Sequence, residues 1–126
     1  MKTCTFGRAF ALFLGSMAGA LAADTSPSSE GWVRVNDDDP AVAYSANVQK
    51  TSNTDCFNKD MHDTQIVGEW CKFSFTGTGV KWIGSKNFDH AKADVFIDGK
   101  LDATVDTSAT SWQLQQELYV KTGLIE

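Results

Sequence analysis

Only two side chains in this sequence titrate near neutral pH in their ordinary state, and both lie among carboxylates. His62 sits in KDMHD beside Asp60 and Asp63, and His90 sits in FDHAK beside Asp89. Each could be drawn as a general base with an orienting carboxylate. Neighbours along a loop rarely point at one another, however. No serine occupies a nucleophile-elbow sequence, and no HExxH or other paired-ligand spacing is present. Both histidines therefore read first as structural loop residues. The acids do not select a catalytic pair either. Asp94, Asp98, Asp102 and Asp106 fall beside turns or on outward faces, whereas glycoside hydrolysis needs two carboxyl groups facing each other across a cleft. Gly77-Thr78-Gly79 with Gly84 is not a phosphate loop, because a strand follows where a helix should. Asp37-Asp38-Asp39 offers the hard oxygens calcium prefers, but three adjacent acids cannot all face one ion. A plain turn is the first reading of that triplet and a structural calcium the second. No catalytic residue, metal ligand or cofactor is assigned, and the chain is read as a non-enzyme.

Aromatic and planar polar side chains point to a different chemistry. Sugar rings stack their C–H faces on aromatic rings while amides and carboxylates take the hydroxyls. The chain has four tryptophans: Trp32, Trp70, Trp82 and Trp112. Trp32, Trp70 and Trp112 lie in or beside apolar runs and are expected in the core; Trp82 is less tied to it. Phe88 stands inside the polar stretch SKNFDHAK, next to Asn87, Asp89 and His90. Trp82, Asn87, Phe88, Asp89 and His90 are thus the candidate ligand contacts. The competing reading of Phe88 is a loop anchor.

Strands must position these residues. Cys71, Phe73 and Phe75 share one face of a period-two run, with Lys72, Ser74 and Thr76 on the other. Gly77-Thr78-Gly79 breaks the run, Val80 to Ile83 resumes it, and Gly84-Ser85 is expected to end it. Ala93, Val95 and Ile97 alternate with Asp94 and Phe96. Asp98-Gly99 then tolerates the positive dihedrals of a tight hairpin, and Leu101, Ala103 and Val105 return. Upstream, Trp32 to Val35 and Ala41 to Tyr44 predict short strands separated by a turn at Asn36–Pro40. Residues 45–63 read as a long polar loop with room for one strand, and Thr64 to Gly68 as a further strand. Residues 112–121 form a strand if Trp112, Leu114, Leu118 and Val120 face inward with Tyr119 outward; a helix competes for QLQQEL. Short strands punctuated by turns predict an all-β antiparallel sandwich.

The FTGTGV strand end, the polar loop and the ADVFIDGK hairpin resemble galactose-binding-like β-sandwich (jelly-roll) modules of secreted carbohydrate-active proteins. The resemblance runs from about Trp32 to Leu124. It implies a jelly roll that binds and does not catalyse, with a glycan or cell-wall polysaccharide as partner. It also implies a further core strand after LYVKTGL, so the fold is expected to lack its last strand or to take one from elsewhere.

The N-terminus carries its own signal. Lys2 and Arg8 precede an apolar run from Ala9 to Leu21, and Ala20-Leu21-Ala22 is a small-residue cleavage site. The run is too short to span a bilayer core of about 30 Å. The expected division is a signal peptide over 1–22, a polar linker over 23–31 and the module over 32–126, in a secreted, extracellular protein. Losing Lys2 and Arg8 removes no acid, so the eleven basic residues fall to nine against sixteen acidic ones. An acidic domain does not suit nucleic acid or an anionic membrane. Cys56 and Cys71 remain as an even pair in an oxidising compartment, and a disulfide between them is expected, worth about 3 kcal/mol. Two rival functions stand beside the binding module. One is a fragment of a secreted glycoside hydrolase or esterase whose catalytic domain, covalent or non-covalent partner to this one, lies elsewhere. The other is a structural or adhesive cell-surface protein.

Overall fold

The computed structural model describes residues 2–7, 12–14, 17–19 and 32–125. Among them the chain is all-β, with no α-helix and a single 3₁₀ turn at Phe57–Lys59. In chain order the strands are β1 (Lys2–Gly7), β2 (Leu12–Leu14), β3 (Met17–Gly19), β4 (Val33–Val35), β5 (Val42–Tyr44), β6 (Gln49–Ser52), β7 (Asp60–Thr64), β8 (Trp70–Phe75), β9 (Val80–Lys86), β10 (Lys92–Ile97), β11 (Lys100–Asp106) and β12 (Gln113–Lys121). They form sheets of order β11-β10-β1-β8-β5, β12-β9-β3-β4 and β2-β7-β6. Every pairing between these strands is antiparallel.

The strongest period-two runs behave as their patterns require. In β8, Cys71, Phe73 and Phe75 are buried, and the Phe73 and Phe75 rings stack at 5.3 Å. In β10, Ala93 and Val95 are buried. Asp98 and Gly99 both take positive φ, 48° and 79°, the geometry of a two-residue hairpin whose twist matches its strands. Residues 112–121 contain the strand β12 in place of the competing helix.

Other boundaries moved. β9 runs through Gly84 and Ser85 to Lys86, and Ser85 is buried. The expected strand over Thr64–Gly68 stops at Thr64, the end of β7; the next residues turn, and Gly68 has φ 97°. The polar stretch 45–63 holds the β6–β7 hairpin, in register from Gln49–Asp63 to Ser52–Asp60. In β12 the register shifts between Gln113 and Gln116 and again between Glu117 and Tyr119. The second of these exchanges the two faces of the strand: Leu114, Gln116 and Leu118 lean inward before it. Tyr119 consequently turns into the core and Val120 faces out, the reverse of the simple alternation.

The tryptophans are also reversed. Trp82 is fully buried at 0% exposure, on the inward parity of a strand flanked by β12 and β3. Trp112 is 51% exposed and Trp70 is also exposed, while Trp32 is half-buried. Trp32 serves as a wall for Gly79, whose hypothetical Cβ would lie 2.9 Å from Trp32 Cη2 and 3.0 Å from the Lys121 carbonyl.

Two expectations about the covalent chain meet the structure here. Cys56 and Cys71 are not joined: both are free and buried, as is Cys4. Cys71 faces the core from β8. Cys56 precedes the 3₁₀ turn, where its sulfur lies 3.9 Å from Met61 Sδ. Burial pushes all three thiols up in pKa. The second expectation concerns the segment read as a leader. Its residues 2–7, 12–14 and 17–19 are strands β1, β2 and β3, each paired with the body of the fold. The cleavage motif Ala20–Ala22 and the linker 23–31 lie outside the described residues.

Candidate functional site

The expected contact loop follows β9. Asn87 forms an isolated bridge with Ser108, its N–H donates to the Thr107 carbonyl at 3.2 Å, and its own carbonyl accepts from Ala109 at 3.0 Å. Thr107 is fixed in turn, donating through N–H and Oγ1 to the Ala91 carbonyl at 3.0 and 2.6 Å. These bonds clamp the segment that carries Phe88 against the one that leads to Trp112. Phe88 itself is 77% exposed, on a turn where Asn87 Oδ1 accepts from its N–H at 2.9 Å. Asn87, Phe88 and Asp89 are therefore presented together. His90 is not: its ring is turned inward, with Nδ1 3.2 Å from the Ser85 carbonyl. Burial lowers the His90 pKa, which favours the neutral ring. Trp82 lies in the core and offers no face to a ligand. Trp112, like Trp70, is an exposed aromatic instead. Its position after the small polar run Thr107–Ser111, and not within an apolar one, was the available signal.

A second feature was missed altogether. The β6–β7 hairpin and its flanks form a depression of about 350 Å³ lined by Asn47, Gln49, Asp63, Thr64, Gln65 and Ile66. Its chemistry is three amides, a carboxylate, a hydroxyl and an apolar lip. The polar groups are held in place by neighbours. Glu69 accepts from Asn47 Nδ2 at 2.8 Å and from the Asn47 N–H at 3.2 Å, and also from Ser45 Oγ. Thr51 Oγ1 donates to Asp63 at 3.0 Å, and Thr64 Oγ1 accepts from the Ile66 N–H at 3.2 Å. The bonds from Ser45 and Asn47 hold the Glu69 carboxyl below its ordinary range.

The third arrangement is a buried histidine–carboxylate pair. His62 Nδ1 lies 2.7 Å from Asp37 Oδ2, and both side chains are buried. Tyr44 stacks on the imidazole at 4.0 Å between ring centroids and donates its hydroxyl to the Asp37 carbonyl at 2.6 Å. The partner of His62 is thus neither of the adjacent acids but a residue from the turn after β4. Burial raises the Asp37 pKa, partly opposed by the hydrogen bond and charge of His62. The calcium reading of Asp37–Asp39 does not fit. Asp37 is spent on His62, Asp38 accepts from Lys50 at 2.7 Å, and Asp39 Oδ1 accepts from the Ala41 N–H at 2.8 Å. Among the described residues no three His, Cys, Asp or Glu side chains converge as metal ligands. The Asp37–His62 pair ties the β4–β5 turn to β7.

Comparison with known proteins adds a carbohydrate context. The chain is 28% identical over 81 residues to the A type blood alpha-D-galactosamine galactosaminidase of Flavonifractor plautii, a match covering 64% of this chain and 8% of that protein. It is 27% identical over 93 residues to the A type blood N-acetyl-alpha-D-galactosamine deacetylase of the same organism, covering 74% of this chain and 12% of that protein. The chain thus corresponds to about a tenth of the length of these relatives. No family model matches it, and no solved structure matches it. Among the described residues no helix is long and apolar enough to cross a membrane.

Proposed function

We propose that the chain is a secreted carbohydrate-binding module of galactose-binding-like, jelly-roll type that performs no chemical step itself. The observation that carries this reading is the pairing of these two relatives. At 81 and 93 residues of a 126-residue chain, the two matches must overlap. By name, one relative is a galactosaminidase and the other a deacetylase, two different reactions. A short stretch common to both is better explained by what they share, a galactosamine-bearing glycan, than by either bond cleavage. The depression beside β7 suits such a ligand: amides and Asp63 for hydroxyl and acetamido groups, Ile66 for a sugar's apolar face. The turn at Asn87–Asp89, with Phe88 as a stacking platform, is a second contact patch on this reading.

The test is a glycan array that includes alpha-linked N-acetylgalactosamine determinants, probed with the wild type, Gln49→Ala/Asp63→Ala and Phe88→Ala. Binding that is lost in the double variant while the melting temperature holds supports the depression, and selective loss in Phe88→Ala shifts the site to the loop. Absence of binding to any glycan by a folded wild type would refute the proposal. The enzymatic rival is checked on the same material by release of sugar or acetate.

A further inference from the structure

The depression beside β7 is one-sided in charge. Among the described residues its lining carries one carboxylate, Asp63, and no Lys, Arg or His. The strand pairing accounts for this. Gln49 lies directly across from Asp63, and Lys50 directly across from His62. Successive side chains of a strand point to opposite faces, so Lys50 leaves on the face away from Asp63. There it is held by Asp38 at 2.7 Å and Asp60 at 3.3 Å. The one cation of the hairpin's paired residues therefore does not neutralise Asp63. Thr51 Oγ1 donates to Asp63 Oδ1 at 3.0 Å and fixes the carboxylate, while among the described residues Oδ2 accepts no hydrogen bond. Nearby, Glu69 adds a second negative charge, with its oxygens taken by Ser45 and Asn47. The whole chain has sixteen acidic residues against eleven basic ones, so the background field has the same sign.

A galactosamine-bearing glycan comes in two forms that differ in charge. With its nitrogen acylated the sugar is neutral; with the nitrogen free it is largely an ammonium at neutral pH. We propose that the depression selects the free-amine form. Asp63 Oδ2 accepts from the sugar's ammonium, and Gln49 takes the hydroxyl on the neighbouring ring carbon. Directly opposed residues hold their Cβ atoms about 4.5–5.5 Å apart, so a carboxylate and an amide placed this way can grip adjacent substituents of one ring. An N-acetyl group still offers an N–H but forfeits the charge-assisted bond. A sugar carrying its own carboxylate meets like charge with no cation to offset it. The order of binding is therefore amine, then neutral, then acid. This inference rests on the glycan reading above and narrows it.

The experiment is to titrate the full chain, followed by its NMR spectrum, with the methyl α-glycosides of galactosamine, N-acetylgalactosamine, galactose and galacturonic acid. The galactosamine glycoside should bind about five- to tenfold more tightly than the N-acetyl one, the margin between a charge-assisted and a neutral hydrogen bond. The galacturonic acid glycoside should bind most weakly, and added salt should narrow the preference for the amine. Asp63→Asn keeps an oxygen for Thr51 and should bring the amine and N-acetyl forms within about twofold of each other. The salt series on the wild type keeps the test decisive if that variant does not fold. Equal or tighter binding of the N-acetyl form would overturn this inference and leave the glycan reading standing. So would a preference indifferent to salt, or one unchanged in Asp63→Asn. A folded wild type that binds none of the four glycosides, and no glycan on the array, would overturn both.

Discussion

Replacing His62 with Ala should be among the most damaging single changes in this chain, and the damage should depend on pH in a defined direction. The imidazole is the 2.7 Å partner of a carboxylate with no exposed surface, and Asp37 Oδ1 already has no protein partner. Removing one member of a buried, hydrogen-bonded pair costs about 3–5 kcal/mol, because the remaining charge is left desolvated. Loss of the Tyr44 stack adds about 0.5–1.5 kcal/mol. Protonation gives Asp37 an escape, so the lower end, about 3 kcal/mol, is the better figure. For a domain of this size that is a drop of about 12–24 °C in melting temperature near neutral pH.

The same escape fixes the sign. A carboxyl whose folded pKa is raised contributes most below its unfolded value near 4, and that contribution is lost as pH rises toward the folded value. The appropriate comparison is His62→Ala against His62→Ala/Asp37→Asn, which differ only in that titration. Urea unfolding from about pH 4 upward should show the single variant falling progressively behind the double one. A flat difference, or a His62→Ala loss below about 1 kcal/mol at pH 7, would show that Asp37 is not a desolvated charge and would refute the reasoning.

Gly79→Ala should destabilise by about 1–3 kcal/mol through overpacking, because the new methyl meets the Lys121 carbonyl at 3.0 Å and a backbone cannot step aside; equilibrium urea unfolding measures this. Cys56 and Cys71 should both alkylate without reductant once the protein is denatured, and only slowly in the native state, since burial raises both thiols; intact mass reads the labels. Asp102 is held below its ordinary range by hydrogen bonds from Lys121 at 2.7 Å and Tyr119 at 2.6 Å. Its stabilising share is therefore present above about pH 4 and lost as pH falls through the folded value, and Lys121→Met should flatten the acid limb of the stability–pH curve.

The parts of the fold legible in the sequence are those where one face is buried and the other is wet. Cys71, Phe73 and Phe75 announce β8 because every second side chain must leave water, and Asp98-Gly99 announces its hairpin because few residue pairs accept two positive φ values. The same parity placed Trp70 on the outer face of β8, against the simpler expectation that tryptophan is core. Tyr119 was not legible, because a bulge exchanges faces within a strand and leaves no mark on the alternation before it. The β6–β7 hairpin was hidden for a different reason. All four residues of β6 are exposed, so no apolar period exists to reveal it, and it is specified by pairing alone.

The site follows the same division. Phe88 stood out because an aromatic inside a polar run has no core to join, and it is indeed at the surface. His62 and Asp37 could not be matched from the sequence: they are 25 positions apart, and their contact exists only because β5 and β7 bring Tyr44 and His62 face to face. Of the sequence neighbours, Asp63 points to the opposite face of the strand, and Asp60, on the same face as His62, is engaged by Asn36 and Lys50. The depression is likewise a product of pairing, with Gln49 and Asp63 set directly across from one another at the end of an otherwise unmarked hairpin. A contact surface assembled from polar residues on paired strands carries no local signature, whereas one built on an exposed aromatic does. This argues for testing the depression and the Phe88 turn with separate variants, because only one of them was chosen for a reason independent of the fold.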